Sequence, residues 1–198
     1  MAKQITRDMP DNELMTRVCK NDERAFREVY HRYQRRLLDF FYGMSRSTHT
    51  AQDLTQETFF RIWRLRAKYS PTGSFPAYLF SFARNIWLEH CRELKKRRRL
   101  GRLEMFDIAA HEMRTETIHH PDHIAWRSEL SDTISEALQS LPEEQRMAFV
   151  LRNIDGLSLN EVGEVLRCPT NTVRSRKLLA VKKLRLKLKE AFIGLEAS

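Results

Sequence analysis

The chain has 198 residues, enough for one medium domain or two small ones, and no apolar run near the ~20 residues of a membrane span. Its 35 Lys and Arg against 26 Asp and Glu leave a net charge of +9, which favours a polyanionic partner, nucleic acid before membrane. Six Gly and six Pro argue against a turn-rich β protein, and Cys19, Cys91 and Cys168 form neither a disulfide framework nor a metal spacing, so a reducing cytoplasm is the expected compartment.

In chain order the segments read as helices. Asp11 and Asn21 are expected N-caps, each followed by acids. Ala25, Phe26, Val29, Tyr33, Leu37, Phe40 and Phe41 recur at helical spacing, and a second stripe runs Ala51, Leu54, Thr58, Ile62, Leu65, Tyr69. Ser70-Pro71-Thr72-Gly73 breaks it. A further helix starts near Pro76, where proline suits a first turn, and runs into a basic block. From about Gly101 to Asp122 no clean helical period remains, so residues 101–123 read as a linker. Beyond it, helices are expected over Ile124–Ser140, Pro142–Ile154, Leu159–Arg167 and Thr170 to about Ile193, with Ser158 and Glu161 forming a capping box.

Charge divides the chain in the same way. Arg92 to Arg102 holds seven basic residues and one acid, Glu104 to Asp132 holds seven acids against two Arg, and Thr170 to Lys189 holds eight basic residues and no acid. That order suggests two modules facing nucleic acid, joined by a segment of opposite character.

Three constellations carry chemistry. The first lies on the Ala51–Tyr69 helix, whose buried stripe leaves Asp53, Gln56, Glu57, Phe60 and Arg64 on the other side. Such a face suits a basic partner helix, although a merely solvated face is the more common reading of it. In the second, Phe75, Tyr78, Phe80, Phe82 and Trp87 surround Arg84 and Asn85 ahead of the Arg92–Arg102 block. Interleaved aromatics and cations stack bases and track the phosphates of a separated strand, though helical geometry sends some of these rings to the core.

The third is Asn160 to Arg176, two short helices around a tight turn. Val162, Val165, Leu166 and Val173 would fix the angle between the helices. Thr170, Asn171, Thr172, Arg174, Ser175, Arg176 and Lys177 open the second one, as in a helix-turn-helix that presents a recognition helix to the major groove. Lys182, Lys183 and Arg185 are expected on backbone or solvent. His119, His120 and His123 are close in sequence, but without a Cys or a second spaced pair they read as linker rather than metal ligands. No nucleophile–base set and no phosphate-cradling glycine loop is legible, so neither enzyme activity, nor a cofactor, nor a metal is expected. An operator-binding repressor and a nucleic-acid-processing enzyme are the competing readings; a simple repressor has no need of the Asp53–Phe60 face or of the second basic block.

Four motifs then stand in order: Asp53-Leu54-Thr55-Gln56-Glu57-Thr58-Phe59-Phe60-Arg61-Ile62-Trp63, Ala77-Tyr78-Leu79-Phe80-Ser81-Phe82-Ala83-Arg84-Asn85, Leu141-Pro142-Glu143-Glu144-Gln145-Arg146, and the helix-turn-helix. Together they resemble a bacterial sigma-70-family factor of the extracytoplasmic-function (ECF) group, which keeps regions two and four, over about residues 22–100 and 125–190. The resemblance implies an all-α fold of two small helical domains, region two over 11–100 and region four over 124–193, joined by the linker 101–123.

It also implies an RNA polymerase sigma factor that binds core polymerase through its β′ and β subunits and directs promoter recognition and transcription initiation. A surface with Asp53, Leu54, Gln56, Glu57, Phe59 and Phe60 would grip the β′ coiled coil. Phe75, Tyr78, Arg84, Asn85, Glu89, Arg92, Lys95 and Lys96 would hold the melted minus-10 element. The helix from Thr170 to Lys183, through Thr170, Asn171, Thr172, Arg174, Ser175, Arg176 and Lys177, would read the minus-35 duplex, the acidic linker would thread towards the RNA exit path, and an anti-sigma factor is an expected partner. The chain departs from the family pattern at Arg167, where a turn glycine is usual, and at Lys177, usually apolar. Leu178 and Leu179 are more apolar than the pattern expects, Tyr78 stands for a usual Trp, and Glu89 for a usual Asp.

Overall fold

The computed structural model describes residues 8–100, 134 and 136–196. The linker 101–123, its histidines and the start of the helix expected from Ile124 lie outside the described residues.

Helix α1 spans Asp11–Cys19 and α2 spans Glu23–Ser45. Neither begins at the expected cap. Pro10 precedes α1, and its carbonyl accepts from the amides of Glu13 and Leu14, both at 3.0 Å. Asp11 is thereby released to bind α2, accepting from Arg32 Nη1 at 2.7 Å and from the Tyr33 hydroxyl. Asp22, not Asn21, caps α2, its Oδ1 accepting from the amides of Arg24 at 3.0 Å and Ala25 at 3.1 Å. Asn21 instead adopts φ 66°, a left-handed turn that asparagine tolerates better than most side chains.

Helix α3 spans Thr48–Arg64, capped by Ser47, and buries Ala51, Leu54, Thr55, Thr58, Phe59 and Ile62. A 3₁₀ turn over Arg66–Lys68 ends it. Helix α4, Phe75–Arg99, starts at Ser74, whose Oγ accepts from the Ala77 amide at 3.2 Å, with Pro76 in its first turn. It buries Phe75, Leu79, Phe80, Ala83, Ile86 and Trp87 and runs out into exposed arginines.

In the second half α5, Glu143–Phe149, passes into one π-helical stretch, Val150–Ile154, rather than continuing as an α-helix. Helix α6, Leu159–Leu166, carries the expected capping box: Ser158 Oγ accepts from the Glu161 amide, and Glu161 Oε2 accepts from the Ser158 amide at 2.8 Å. Helix α7 spans Thr170–Glu196. Arg167 closes the turn between them at φ 53°, ψ 47°, the left-handed position where glycine would cost least.

No strand occurs among the described residues. The two helical domains pack face to face. One continuous core runs from Leu14, Val29, Phe40 and Phe80 through Val150, Leu151 and Leu157 to Val162 and Val173. A smaller cluster of Ala137, Leu138, Leu141, Ala180 and Leu184 seats α7 against the start of the second domain. Gly43 allows a close approach between the domains, since a Cβ there would stand 3.2 Å from a Val150 methyl.

Candidate nucleic-acid interface

On α3, Asp53 and Gln56 are exposed. Asp53 Oδ2 lies 3.0 Å from His49 Nδ1. Glu57 pairs with Arg61 at 2.6 Å, and Arg61 reaches Glu89 on α4 at 2.7 Å. Phe60 is 56 % exposed beneath the Arg64 guanidinium, 5.6 Å from the ring centre. Leu54 and Phe59 are buried and support this face from below; the Phe59 ring packs on Tyr30 at 4.6 Å and Phe26 at 6.2 Å. Beside it opens an apolar groove lined by Glu23, Phe26, Arg27, Tyr30 and Trp63. Sequence reasoning missed this groove because it joins α2 to α3; the only local signal was Phe26 and Tyr30 one helical turn apart.

On α4 the eight expected residues divide. Phe75 is 1 % exposed and packs on Tyr33 and Tyr69, so it is a core ring. Tyr78 is half-buried, with its ring 4.9 Å from Tyr69 and 5.0 Å from Phe82. Burial pushes the phenols of Tyr78 and Tyr69 up, Tyr69 to about 12, so both stay neutral hydrogen-bond donors. The loop leading into α4 is tied to α1, with Asn12 Nδ2 donating to the Gly73 carbonyl at 3.1 Å and Tyr69 donating to Asn12 Oδ1 at 2.7 Å. Arg84 is half-buried and donates to Asn85 Oδ1 at 3.4 Å; burial, followed by the charge of Arg167, lowers its proton affinity. Glu89 faces Arg61, and Arg92, Lys95 and Lys96 stand exposed with Arg97, Arg98 and Arg99.

On α7, Val173, Ala180 and Leu184 are buried and set the rotation of the helix. Asn171, Arg174 and Ser175 are exposed, while Thr170, Thr172 and Lys177 are half-buried. Arg176 is drawn inward by ion pairing to Glu144 and by Cys168 Sγ at 3.4 Å. Gly163 lets the turn close, because a Cβ there would stand 3.0 Å from the Cys168 carbonyl oxygen.

The two domains meet where α5, α6 and the π-helical stretch cover α2 and α4. Trp87 donates to Glu143 Oε1 at 2.8 Å, Ser74 to Glu161 Oε1 at 2.6 Å, and Arg146 to the Met44 carbonyl at 3.0 Å. Arg36 Nη2 donates to the Asp155 carbonyl at 2.6 Å. Burial opposes ionisation of Glu161, but bonds from Ser74 and Ser158 outweigh it and hold this carboxyl below its usual range. The Asp155 carboxylate is buried, and neither oxygen has a hydrogen-bond partner among the described residues. Burial pushes its proton affinity well up, opposed by Arg36 and reinforced by Asp39.

Among the described residues no group of His, Cys, Asp and Glu could hold a metal ion, and the three cysteines are free. No described helix is long and apolar enough to cross a membrane.

The sequence matches two family models, Sigma-70 region 2 over residues 29–98 and Sigma-70 region 4 over residues 131–184. It is 31% identical over 168 residues to the RNA polymerase sigma-H factor of Pseudomonas aeruginosa, covering 84% of this chain and 87% of that one. It is 30% identical over 182 residues to the ECF RNA polymerase sigma-E factor of Escherichia coli strain K12, covering 89% and 91%. In fold it is similar to CnrH in complex with the cytosolic domain of CnrY, with a TM-score of 0.66 at 23% identity over 91% of this chain and 97% of that one. It is likewise similar to the sigma factor RpoE in complex with the anti-sigma factor NepR from Bartonella quintana, with a TM-score of 0.64 at 24% identity over 83% and 96%.

Proposed function

The chain belongs to the ECF group of the sigma-70 family, and on that premise we propose how its surfaces divide the work of a promoter-specificity subunit. It is an RNA polymerase sigma factor: it binds core polymerase and directs promoter recognition and transcription initiation. Region two occupies residues 11–100, region four occupies 124–193, and 101–123 links them. It works in the cytoplasm and carries out no covalent chemistry of its own, bond formation belonging to the polymerase.

The exposed α3 face, with Asp53, Gln56, Glu57 and Phe60 over the buried Leu54 and Phe59, docks a basic helix of the β′ subunit. Carboxylates steer the encounter and the exposed ring supplies apolar area. On α4, Arg92, Lys95 and Lys96 follow the phosphates of the parted minus-10 strand while Tyr78 offers a stacking surface. Arg84 and Asn85 contact a base there, and Glu89 orders Arg61. Unstacking a base costs a few kcal/mol, which capture on such a surface offsets. Phe75 contributes by holding Tyr69 and Tyr78 in place rather than by touching DNA. Asn171, Arg174 and Ser175 of α7 read the minus-35 duplex, with Thr170, Thr172, Arg176 and Lys177 on its phosphates. An anti-sigma factor is the expected inhibitor, as the RpoE–NepR complex illustrates for another member of the fold.

The observation that carries this reading is the pairing, on one chain, of a cationic helix with aromatic support and a separate helix-turn-helix. Run-off transcription with core polymerase tests it. The wild-type chain is expected to co-elute with core enzyme and to start transcripts at a defined site. The double change Asp53→Arg with Glu57→Arg is expected to abolish co-elution while leaving duplex binding by α7 intact. Co-elution that survives the double change would overturn the assignment of the α3 face.

A further inference from the structure

The burial pattern of α7 fixes its rotation, and the rotation places a leucine on the DNA-facing side. Val173 and Ala180 are 0 % exposed and Leu184 is 6 % exposed, a stripe at i, i+7 and i+11. Directly opposite runs a second stripe with the same period: Asn171, Ser175, Leu178 and Lys182, all exposed. Leu178 is 63 % exposed. A lone surface leucine needs no explanation in general, but this one stands between a reading position and two cations. Arg174 precedes it by one turn and Lys182 follows it by one turn, in a segment, Thr170 to Lys189, with eight basic residues and no acid. The charge therefore draws a polyanion onto the face that carries this apolar side chain. Leu178 lies roughly 12 Å along the helix from Thr170, at 1.5 Å per residue. A recognition helix that lies along the major groove, roughly 12 Å wide and roughly 8.5 Å deep, with this exposed stripe turned to its floor brings Leu178 to the base edges.

We propose that Leu178 is a specificity-determining residue that recognises a thymine in the minus-35 duplex by packing on its C5-methyl group. This rests on α7 being the recognition helix. In the major groove that methyl is the apolar feature distinguishing an A·T pair, and a neutral, unbranched-at-Cβ side chain without donors suits it. Leucine offers no hydrogen bond to any base edge, so a guanine or cytosine at that position leaves polar groups unpaired against it. Leu179 is 48 % exposed on the flank of the same turn, and Leu186, 56 % exposed, lies two turns further along, beyond the groove.

The test exchanges single atoms on the DNA. Minus-35 duplexes are selected from a random library with the reconstituted holoenzyme, and each thymine is then replaced in turn by deoxyuridine, which lacks only the methyl. One such replacement is expected to weaken binding of the wild-type chain about 4-fold, the worth of one buried methyl at ~0.8 kcal/mol. Leu178→Ala is expected to bind thymine DNA about 4-fold more weakly and to be indifferent to the same replacement. The side chain is exposed, so this variant keeps the fold. Deoxyuridine without effect at every position, a selected element lacking thymine, or Leu178→Ala retaining the wild-type sensitivity overturns the assignment. Arg174→Ala separates the premise from the inference. If it too leaves duplex binding unchanged, α7 is not the reading helix and both fail; if it weakens binding while deoxyuridine does nothing, the Leu178 contact alone fails.

Discussion

Two residues hold conformations or charges that the rest of the molecule must sustain. Arg167 was visible in the sequence as a bulky residue at a turn position that favours glycine, and it does adopt φ 53°; such a conformation costs roughly 1–2 kcal/mol for a non-glycine residue. Asp155 was not visible, because its burial comes from α2, which lies more than a hundred residues earlier. Its carboxyl is pushed well above the ordinary 3.8 by burial, with Arg36 opposing and Asp39 reinforcing. Below the ordinary value the carboxyl is protonated whether the domains are packed or apart, and the packed form has its full stability. As pH rises through the raised value, the packed form must give up that proton, and stability is lost. The packed state is therefore expected to weaken as pH rises above the ordinary carboxylate value. Asp155→Asn, which carries no charge, is expected to flatten that dependence and raise the urea midpoint at pH 8. A wild-type midpoint that does not fall relative to that of Asp155→Asn as pH rises above the ordinary carboxylate range would contradict the argument.

At the scale of the helix, periodicity and capping chemistry made most elements legible. The Ser158–Glu161 box and the Pro76 start act within a few residues, so the sequence shows them directly, whereas the stripe expected to run to Tyr69 ends as an α-helix at Arg64 and passes into a 3₁₀ turn. The starts of α1 and α2 were misplaced by one residue because Asp11 and Asn21 are recruited elsewhere, Asp11 by Arg32 and Tyr33 and Asn21 by Arg66. A local rule cannot weigh a partner twenty or more residues away. The same limit explains Phe59 and Phe75, which sit at plausible interface positions but turn to the core because Phe26, Tyr30 and Tyr33 of α2 meet them. The pattern fixes that a helix exists, whereas its neighbours choose which aromatic faces out. Gly163 gives an element-scale prediction. A methyl there would meet the Cys168 carbonyl at 3.0 Å, a backbone atom that cannot swing away. Gly163→Ala is expected to cost about 1–3 kcal/mol of stability through overpacking and to tilt α7 against α6. Thermal unfolding and minus-35 duplex affinity should fall together; an unchanged melting temperature would mean that the turn relaxes freely.

At the scale of the whole molecule, the charge blocks foretold two modules but not that they close on each other. The seam is built from groups of opposite halves, Trp87 with Glu143 and Ser74 with Glu161, that mean little until the chain has folded back. It covers part of α4, including the neighbourhood of Arg84, so strand capture in the proposed mechanism requires the halves to part. Glu143 also lies near Cys91 across the seam and near Arg146 on its own helix. Glu143→Arg is expected to remove the acceptor of the Trp87 bond, place a second cation beside Arg146 and open the seam. Small-angle scattering should then report a larger radius of gyration with helical content unchanged. A variant as compact as the wild type would show that apolar packing alone holds the halves together.

The indole of Trp87 is 6 % exposed and hydrogen-bonded across the seam. Parting the halves would wet that ring and remove its carboxylate neighbour, shifting its emission to longer wavelength. With Trp63 and Trp126 replaced by Phe, the chain thus carries its own optical gauge, able to time the encounter with polymerase or an inhibitor without an added dye.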